Sequence, residues 1–185
     1  MKTVFVAMSG GIDSSMAAYL LMKKGFKVIG VTFQLLPELP RNTQNPRACC
    51  SSEAILRAKR VAENLSITHY IMNLREEFEE YVIERFVNDY KNGKTPNPCI
   101  LCNQSIKFSS FFNKASSMGA EFIATGHYAR IEKISGGHCL KKGIDITKDQ
   151  SYFLYPIKHD QLNRILFPVG DYTKSTILSL AQKMG

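Results

Sequence analysis

A chain of 185 residues is long enough for one domain with a real core, and its 44% hydrophobic content is ordinary for a globular protein. Its apolar runs are far too short to span a bilayer, and the N-terminus lacks the apolar core of a secretion signal. The net charge of +8 is uneven: residues 1–91 hold 12 Lys and Arg against 10 Asp and Glu, and residues 92–185 hold 12 against 6. That excess points to a polyanion across the second half, with a solvated basic face as the plain alternative. Five cysteines, an odd number with Cys49 and Cys50 adjacent and Cys99 and Cys102 in a C-x-x-C, read as reduced thiols rather than a disulfide frame. They predict a cytosolic chain.

The spacing predicts a first buried strand over residues 3–8 and a helix over 13–24, with Gly25 as its stop. Between them lies A-M-S-G-G-I-D-S-S, from Ala7 to Ser15. Gly10 and Gly11 let the backbone bend tightly, and the helix start offers unpaired N–H groups to an anion. No lysine follows the glycines as a Walker A loop requires, and the G-x-G-x-x-G spacing is absent. The string S-G-G-I-D-S-S resembles the PP-loop of ATP enzymes that release AMP and pyrophosphate. The resemblance implies that the loop holds the leaving pyrophosphate and that Asp13 positions magnesium or phosphates.

Residues 27–33 read as a second strand, and 35–47 as an irregular loop leading to Cys49 and Cys50. Ser52 is placed as the cap of a helix over 53–64, followed by a strand over 67–74 and an amphipathic helix over 76–91. The run K-T-P-N-P-C-I-L-C-N follows, with Cys102 set just before a helix that continues through Met118. A strand over 120–125 ends in G-H-Y-A-R. Residues 130–148 read as a basic hairpin turning at Gly136 and Gly137, and 149–154 lead into a strand. A turn at 166–170 then precedes the last helix. This alternation predicts an α/β, Rossmann-like parallel sheet with helices on both faces, of the adenine nucleotide alpha hydrolase type. The strand ends would gather the loop at Ser9–Ser15, Phe33, the cysteine segment and Gly126–His127 around one crevice.

Together the PP-loop, T-P-N-P-C-I-L-C-N, T-G-H-Y-A-R, K-D-Q-S-Y-F-L and L-F-P-V-G resemble, in order and spacing, the tRNA-specific 2-thiouridylases of the MnmA family. The resemblance implies a sulfurtransferase that adenylates O2 of the wobble uridine with ATP and Mg2+. Sulfur from a cysteine persulfide then attacks C2 and expels AMP. By match to the family's motifs, Ala7, Met8, Ser9, Gly10, Gly11, Ile12, Asp13, Ser14, Phe33 and Gly126 form the ATP site. Asn97, Pro98 and Cys99 contact the target base, and His127, Lys148, Asp149 and Gln150 contact tRNA. Cys102 is the catalytic nucleophile, releasing sulfur or forming a transient disulfide. Its implied partners are lysine, glutamate and glutamine tRNAs and a persulfide-donating relay protein or cysteine desulfurase.

Each role has a plain counterpart: Phe33 as an apolar strand end, His127 as a structural histidine, Lys148 as a solvated lysine, Cys102 as an inert thiol. Cys49 and Cys50 are read as structural or incidental. The family more often carries aspartate where this chain has Cys99, so Cys99 and Cys102 could also serve zinc or an iron–sulfur cluster, given further ligands. The family's partner cysteine, central domain and C-terminal β-barrel lie beyond residue 185, so residues 1–185 read as the catalytic domain, folded but deficient in thiolation alone. The alternatives are another PP-loop ATPase, such as an amidotransferase-type synthetase, lysidine synthetase or cytidine thiolase, or a non-catalytic ATP- or tRNA-binding fragment.

Overall fold

A computed structural model describes residues 1–37 and 51–183. Five parallel strands form one sheet in the order β3-β2-β1-β4-β7: β1 (Thr3–Ala7), β2 (Lys27–Gln34), β3 (Thr68–Asn73), β4 (Phe122–Ala124) and β7 (Ile165–Leu166). The chain winds outward from β1 in both directions, so the β1–β4 pair is the switch point where such sheets leave a crevice. Val4 and Val6 point into one layer and Phe5 into the other, as a period of two demands. The first layer holds α1 (Ile12–Lys23), α2 (Ser52–Asn64) and α7 (Lys174–Gln182). The second holds Phe108, Phe111 and Phe112 against Phe5, Val31 and Ile123. Phe5 is fully buried there, and its truncation to alanine would cost about 3–5 kcal/mol.

A smaller apolar cluster, Leu35, Leu74, Val82, Leu101 and Ile106, joins the acidic helix to the cysteine helix. The acidic helix runs through α3 (Arg75–Phe78), a π-helical stretch (Glu79–Glu84) and α4 (Arg85–Lys91). The cysteine helix is α5 (Pro98–Leu101), continued by a π-helical stretch (Cys102–Phe111) and α6 (Phe112–Ser117).

The alternation expected from the sequence is the observed one, with local corrections. Ser51, not Ser52, caps α2: its hydroxyl accepts from Ala54 N at 3.2 Å, the reach available one residue before the first helical turn. The hairpin is β5 (Ala129–Ile134) with β6 (Gly137–Lys142), and Ile134 pairs with Gly137, so its two-residue turn is Ser135–Gly136. Residues 149–154 do not lead into a strand. Ser151–Leu154 is a single 3-10 turn, pinned because Asp149 accepts from Ser151, and another (His159–Arg164) intervenes before β7. Cys49, Cys50 and the centre of the expected loop lie outside the described residues.

Candidate active site

At the end of β1 the backbone turns at Gly10, whose φ of +70° is a left-handed conformation. A Cβ there would lie 2.4 Å from the Ala54 carbonyl oxygen of α2. Gly11 is the N-cap of α1 and offers no side chain, so no side-chain cap occupies the first-turn N–H groups of α1, an arrangement suited to an anion. Ser14 shapes the loop: its hydroxyl donates to Gly11 O at 2.9 Å and accepts from Ser9 N at 3.1 Å. Ser15 also donates to Gly11 O, at 3.0 Å. Beneath the loop, Met8 is held by Val31 and by the Thr32 hydroxyl, which donates to Met8 O at 2.8 Å. Ala7 ends β1, and Ile12, in the first turn of α1, is exposed.

Gly126, just past β4, packs on this loop. A Cβ there would sit 2.6 Å from Ser14 N, in space already filled by backbone. Two strand ends therefore close on the helix N-terminus.

Asp13 occupies the first turn of α1, where the dipole favours a carboxylate. Its Oδ1 accepts from the Tyr128 hydroxyl at 2.9 Å and from Lys174 Nζ at 2.6 Å. Burial, then the bond to Asp13, raises the Tyr128 phenol well above its ordinary value, so at neutral pH it is always a donor. Neither Tyr128 nor Lys174 was assigned a role from sequence. Tyr128 stood inside a quoted motif, but nothing local links Lys174, at the start of α7, to a loop 161 residues away.

The cysteine segment departs from expectation in one respect. The cysteine helix begins at Pro98, with Asn97 as N-cap: its Oδ1 accepts from Cys99 N at 3.0 Å and from Ile100 N at 3.4 Å. Cys99 is thus the exposed thiol of the first turn, and Cys102 lies a turn further in, not just before the helix. A Pro at the first helical position and an Asn cap before it explain the earlier start. The helix dipole weakens beyond its first turn, and Cys102 packs partly buried against the small apolar cluster.

A polar chain joins that helix to the phosphate loop's neighbourhood. Asn103 Nδ2 donates to Phe153 O at 3.0 Å, and its Oδ1 accepts from Lys107 Nζ at 2.9 Å. Lys107 Nζ stands 3.5 Å from His127 Nε2, and His127 Nδ1 is 2.7 Å from Thr125 Oγ1. With an ammonium at Nε2, the ring proton sits on Nδ1 and donates to the threonine. Burial, then the Lys107 charge, holds His127 well below its ordinary value, so the ring is neutral. Phe33 sits at the same end of the sheet, its ring 5.0 Å from that of Phe111.

Of the residues matched to tRNA contact, Lys148 is exposed. Asp149 accepts from Gly143 N at 2.9 Å and from the Ser151 hydroxyl at 2.7 Å. Gln150 Oε1 accepts from Tyr128 N at 3.0 Å, and Gln150 N donates to Tyr128 O at 2.9 Å. The Asp149 and Gln150 side chains are therefore engaged in pinning the turn. Among the described residues no three His, Cys, Asp or Glu side chains converge on a metal-sized site. Among them, too, no helix is long and apolar enough to cross a membrane.

A parallel sheet whose glycine-serine loop opens onto a helix N-terminus at the switch point defines a Rossmann-like α/β domain of the PP-loop type. The chain belongs to the tRNA methyl transferase HUP domain family, whose model matches residues 2–185. It is 47% identical over 186 residues to the tRNA-specific 2-thiouridylase MnmA of Halothermothrix orenii, covering all of this chain and 52% of that protein. It is 48% identical over 184 residues to tRNA-specific 2-thiouridylase MnmA 1 of Clostridium botulinum strain Langeland, again covering 100% of this chain and 52% of the relative. The chain spans about half the length of these curated relatives.

Among solved structures, the fold is similar to a 4-thiouridine synthetase–RNA complex with bound ATP, with TM-score 0.65 and 19% identity. That match covers 100% of this chain and 41% of the other. The fold is also similar to a predicted subunit of tRNA methyltransferase from Methanocaldococcus jannaschii, with TM-score 0.59 and 18% identity over 98% of this chain and 75% of that one.

Proposed function

We propose that this chain is the nucleotide-binding and base-activating part of a tRNA uridine 2-thiolating enzyme. The observation that carries the reading is the polar chain Asn103–Lys107–His127, which ties the cysteine helix to the strand end that packs on the phosphate loop. That link supports a nucleotide cradle and a thiol-bearing helix acting on one substrate. The names of the relatives, tRNA-specific 2-thiouridylases, support the same chemistry.

The residues fit ATP. Gly10 and Gly126 occupy places where a Cβ would strike backbone, and the loop's N–H groups are set to receive phosphate oxygens. Ala7, Met8, Ser9, Gly11, Ile12, Ser14 and Phe33 would complete that site, with Asp13 and Lys174 at the phosphates or their Mg2+. When bound, ATP supplies an adenylyl group that turns the uracil O2 into a good leaving group. Cys102 then serves the sulfur step: the terminal sulfur of a donor persulfide bonds to C2 as the C2–O bond breaks and AMP leaves with the oxygen. The Cys102 thiolate attacks the donor's inner sulfur, breaking the S–S bond so that one sulfur stays on C2 and a transient disulfide joins Cys102 to the donor. Lys107 and His127 hold the helix in register with the base, and His127, neutral, positions rather than transfers a proton. Asn97 is occupied as a helix cap, so Pro98 and Cys99 are the residues of that segment most open to the base. Lysine, glutamate and glutamine tRNAs, and a persulfide-donating relay protein or desulfurase, are the partners of this reading, in the cytoplasm.

The test is transfer of label from α-labelled ATP to an unmodified tRNA with a wobble uridine, without a sulfur source. Label on wild-type and Cys102→Ser reactions, lost in Asp13→Ala, is the expected result. No label on tRNA in any reaction, with ATP binding intact, would refute base activation.

A further inference from the structure

Two tyrosines unused by this account stand out on the 3-10 turn Ser151–Leu154 and just after it. Tyr152 is 69% exposed and Tyr155 is 68% exposed, with ring centroids 6.3 Å apart. Single exposed aromatics are common on protein surfaces; an adjacent pair on a firmly held turn is not. Leu154 between them is fully buried and anchors the turn. Asp149 ties its start through the Ser151 hydroxyl, and Asn103 of the cysteine helix takes the Phe153 carbonyl. The turn packs against both the cysteine helix and β6 of the basic hairpin. Two rings are thus displayed on a rigid support between the proposed thiol and a surface rich in lysine.

We propose that Tyr152 and Tyr155 form a stacking platform for unpaired nucleobases of the RNA, steering the strand toward the cysteine helix. Every base has a π-face, and aromatic rings beside a positive groove are the general device for single-stranded nucleic acid. Exposure selects this pair over Phe86 and Tyr90, whose rings also stack: Tyr90 is 70% exposed but Phe86 is half-buried, so that pair offers one open ring rather than two. Lys148 and Lys158 flank the turn in sequence and Lys142 ends the strand it packs on; all three are exposed, as is Asp160, and Glu132 of the hairpin is paired with Lys141. The platform rests on the RNA reading above and specifies where that RNA is held.

The experiment measures binding of the chain to a labelled RNA hairpin with a uridine-containing loop and to a fully paired duplex of equal length. The variants are Tyr152→Ala with Tyr155→Ala, and the same pair changed to Phe. The alanine pair should weaken hairpin binding about tenfold or more, leaving duplex and ATP binding unchanged, while the phenylalanine pair keeps wild-type affinity. Unchanged hairpin binding by the alanine pair would overturn the platform, and so would equal loss of hairpin and duplex. If the alanine pair instead loses only a sulfur-donating protein, the surface is a protein dock and the proposal fails. Absence of RNA binding by the wild type would remove the RNA reading itself.

Discussion

Lys174, at the start of the last helix, places its ammonium 2.6 Å from the carboxylate of Asp13 in the first turn of the first helix. The backbone N–H of Lys174 is in turn fixed by Asp145, at 2.9 Å, so the lysine is aimed by the segment that follows the hairpin. Both charged side chains are about a third exposed, and such a pair contributes only about 0–1 kcal/mol to folding. On the reading proposed above, its weight lies on nucleotide binding. Lys174→Met should leave the melting temperature nearly unchanged and weaken ATP binding about tenfold or more, the loss of one charge-assisted contact to phosphate. Calorimetric titration with Mg–ATP checks it, and wild-type affinity in the variant would remove Lys174 from the site.

Tyr128 donates to the same oxygen and is clamped at both backbone groups by Gln150. Tyr128→Phe keeps the ring and removes only the donor, so stability should fall by about 1 kcal/mol or less. Asp13 then loses its second anchor, and the Mg–ATP KM should rise with little change in kcat. A kcat loss at unchanged KM would place Tyr128 elsewhere in the reaction.

Gly126→Ala inserts a methyl 2.6 Å from Ser14 N and 2.7 Å from the Asp13 carbonyl carbon, both backbone atoms that cannot rotate away. Either β4 or α1 must shift. The expected cost is about 1–3 kcal/mol, with ATP affinity lost before the fold. Thermal unfolding with and without nucleotide reads both, and a variant that still gains wild-type stabilisation from ATP would show that the close approach is dispensable.

His127 is held well below its ordinary value of 6.5 by burial and the Lys107 charge, and His69 is lowered by burial and Lys59. At a pH below about 6.5 the unfolded chain therefore binds protons that the folded chain refuses. Their contribution to stability is complete above that pH and is lost as pH falls through and below it. His127→Gln removes the larger share, so urea unfolding at about pH 7.5 and about pH 5.5 should differ less in the variant than in the wild type. An unchanged difference would mean that His127 is charged in the fold.

Cys99 lies exposed in the first turn of its helix, whereas Cys102 is partly buried against the small cluster of Leu35, Leu74, Val82, Leu101 and Ile106. Limiting alkylation followed by peptide mass spectrometry should modify Cys99 first. Faster labelling of Cys102 would mean that its thiolate character outweighs its burial.

The strands with strong local patterns were legible in the chain. β1 is a short apolar run before Gly10 and Gly11, β2 one that follows Gly25, and their expected limits differ from the observed ones by a residue at most. β7 has only two residues, Ile165 and Leu166, and exists because β4 lies beside it, so no local pattern could mark it. The cysteine helix was misplaced because T-P-N-P reads as loop, although Asn97 and Pro98 are also a cap and a first-turn proline. At the site, the glycine-serine loop announces itself through residues adjacent in sequence. The Asp13–Tyr128–Lys174 contact does not, because its members meet only once the sheet and α7 are assembled.

The most direct test of base activation is the fate of ATP itself. The chain is incubated with doubly labelled ATP, Mg2+ and unmodified glutamate tRNA, beside a tRNA without a wobble uridine, and the nucleotide products are separated. AMP and pyrophosphate, formed only with the wobble-uridine tRNA and lost in Asp13→Ala, are the predicted result. ADP and phosphate would contradict the account.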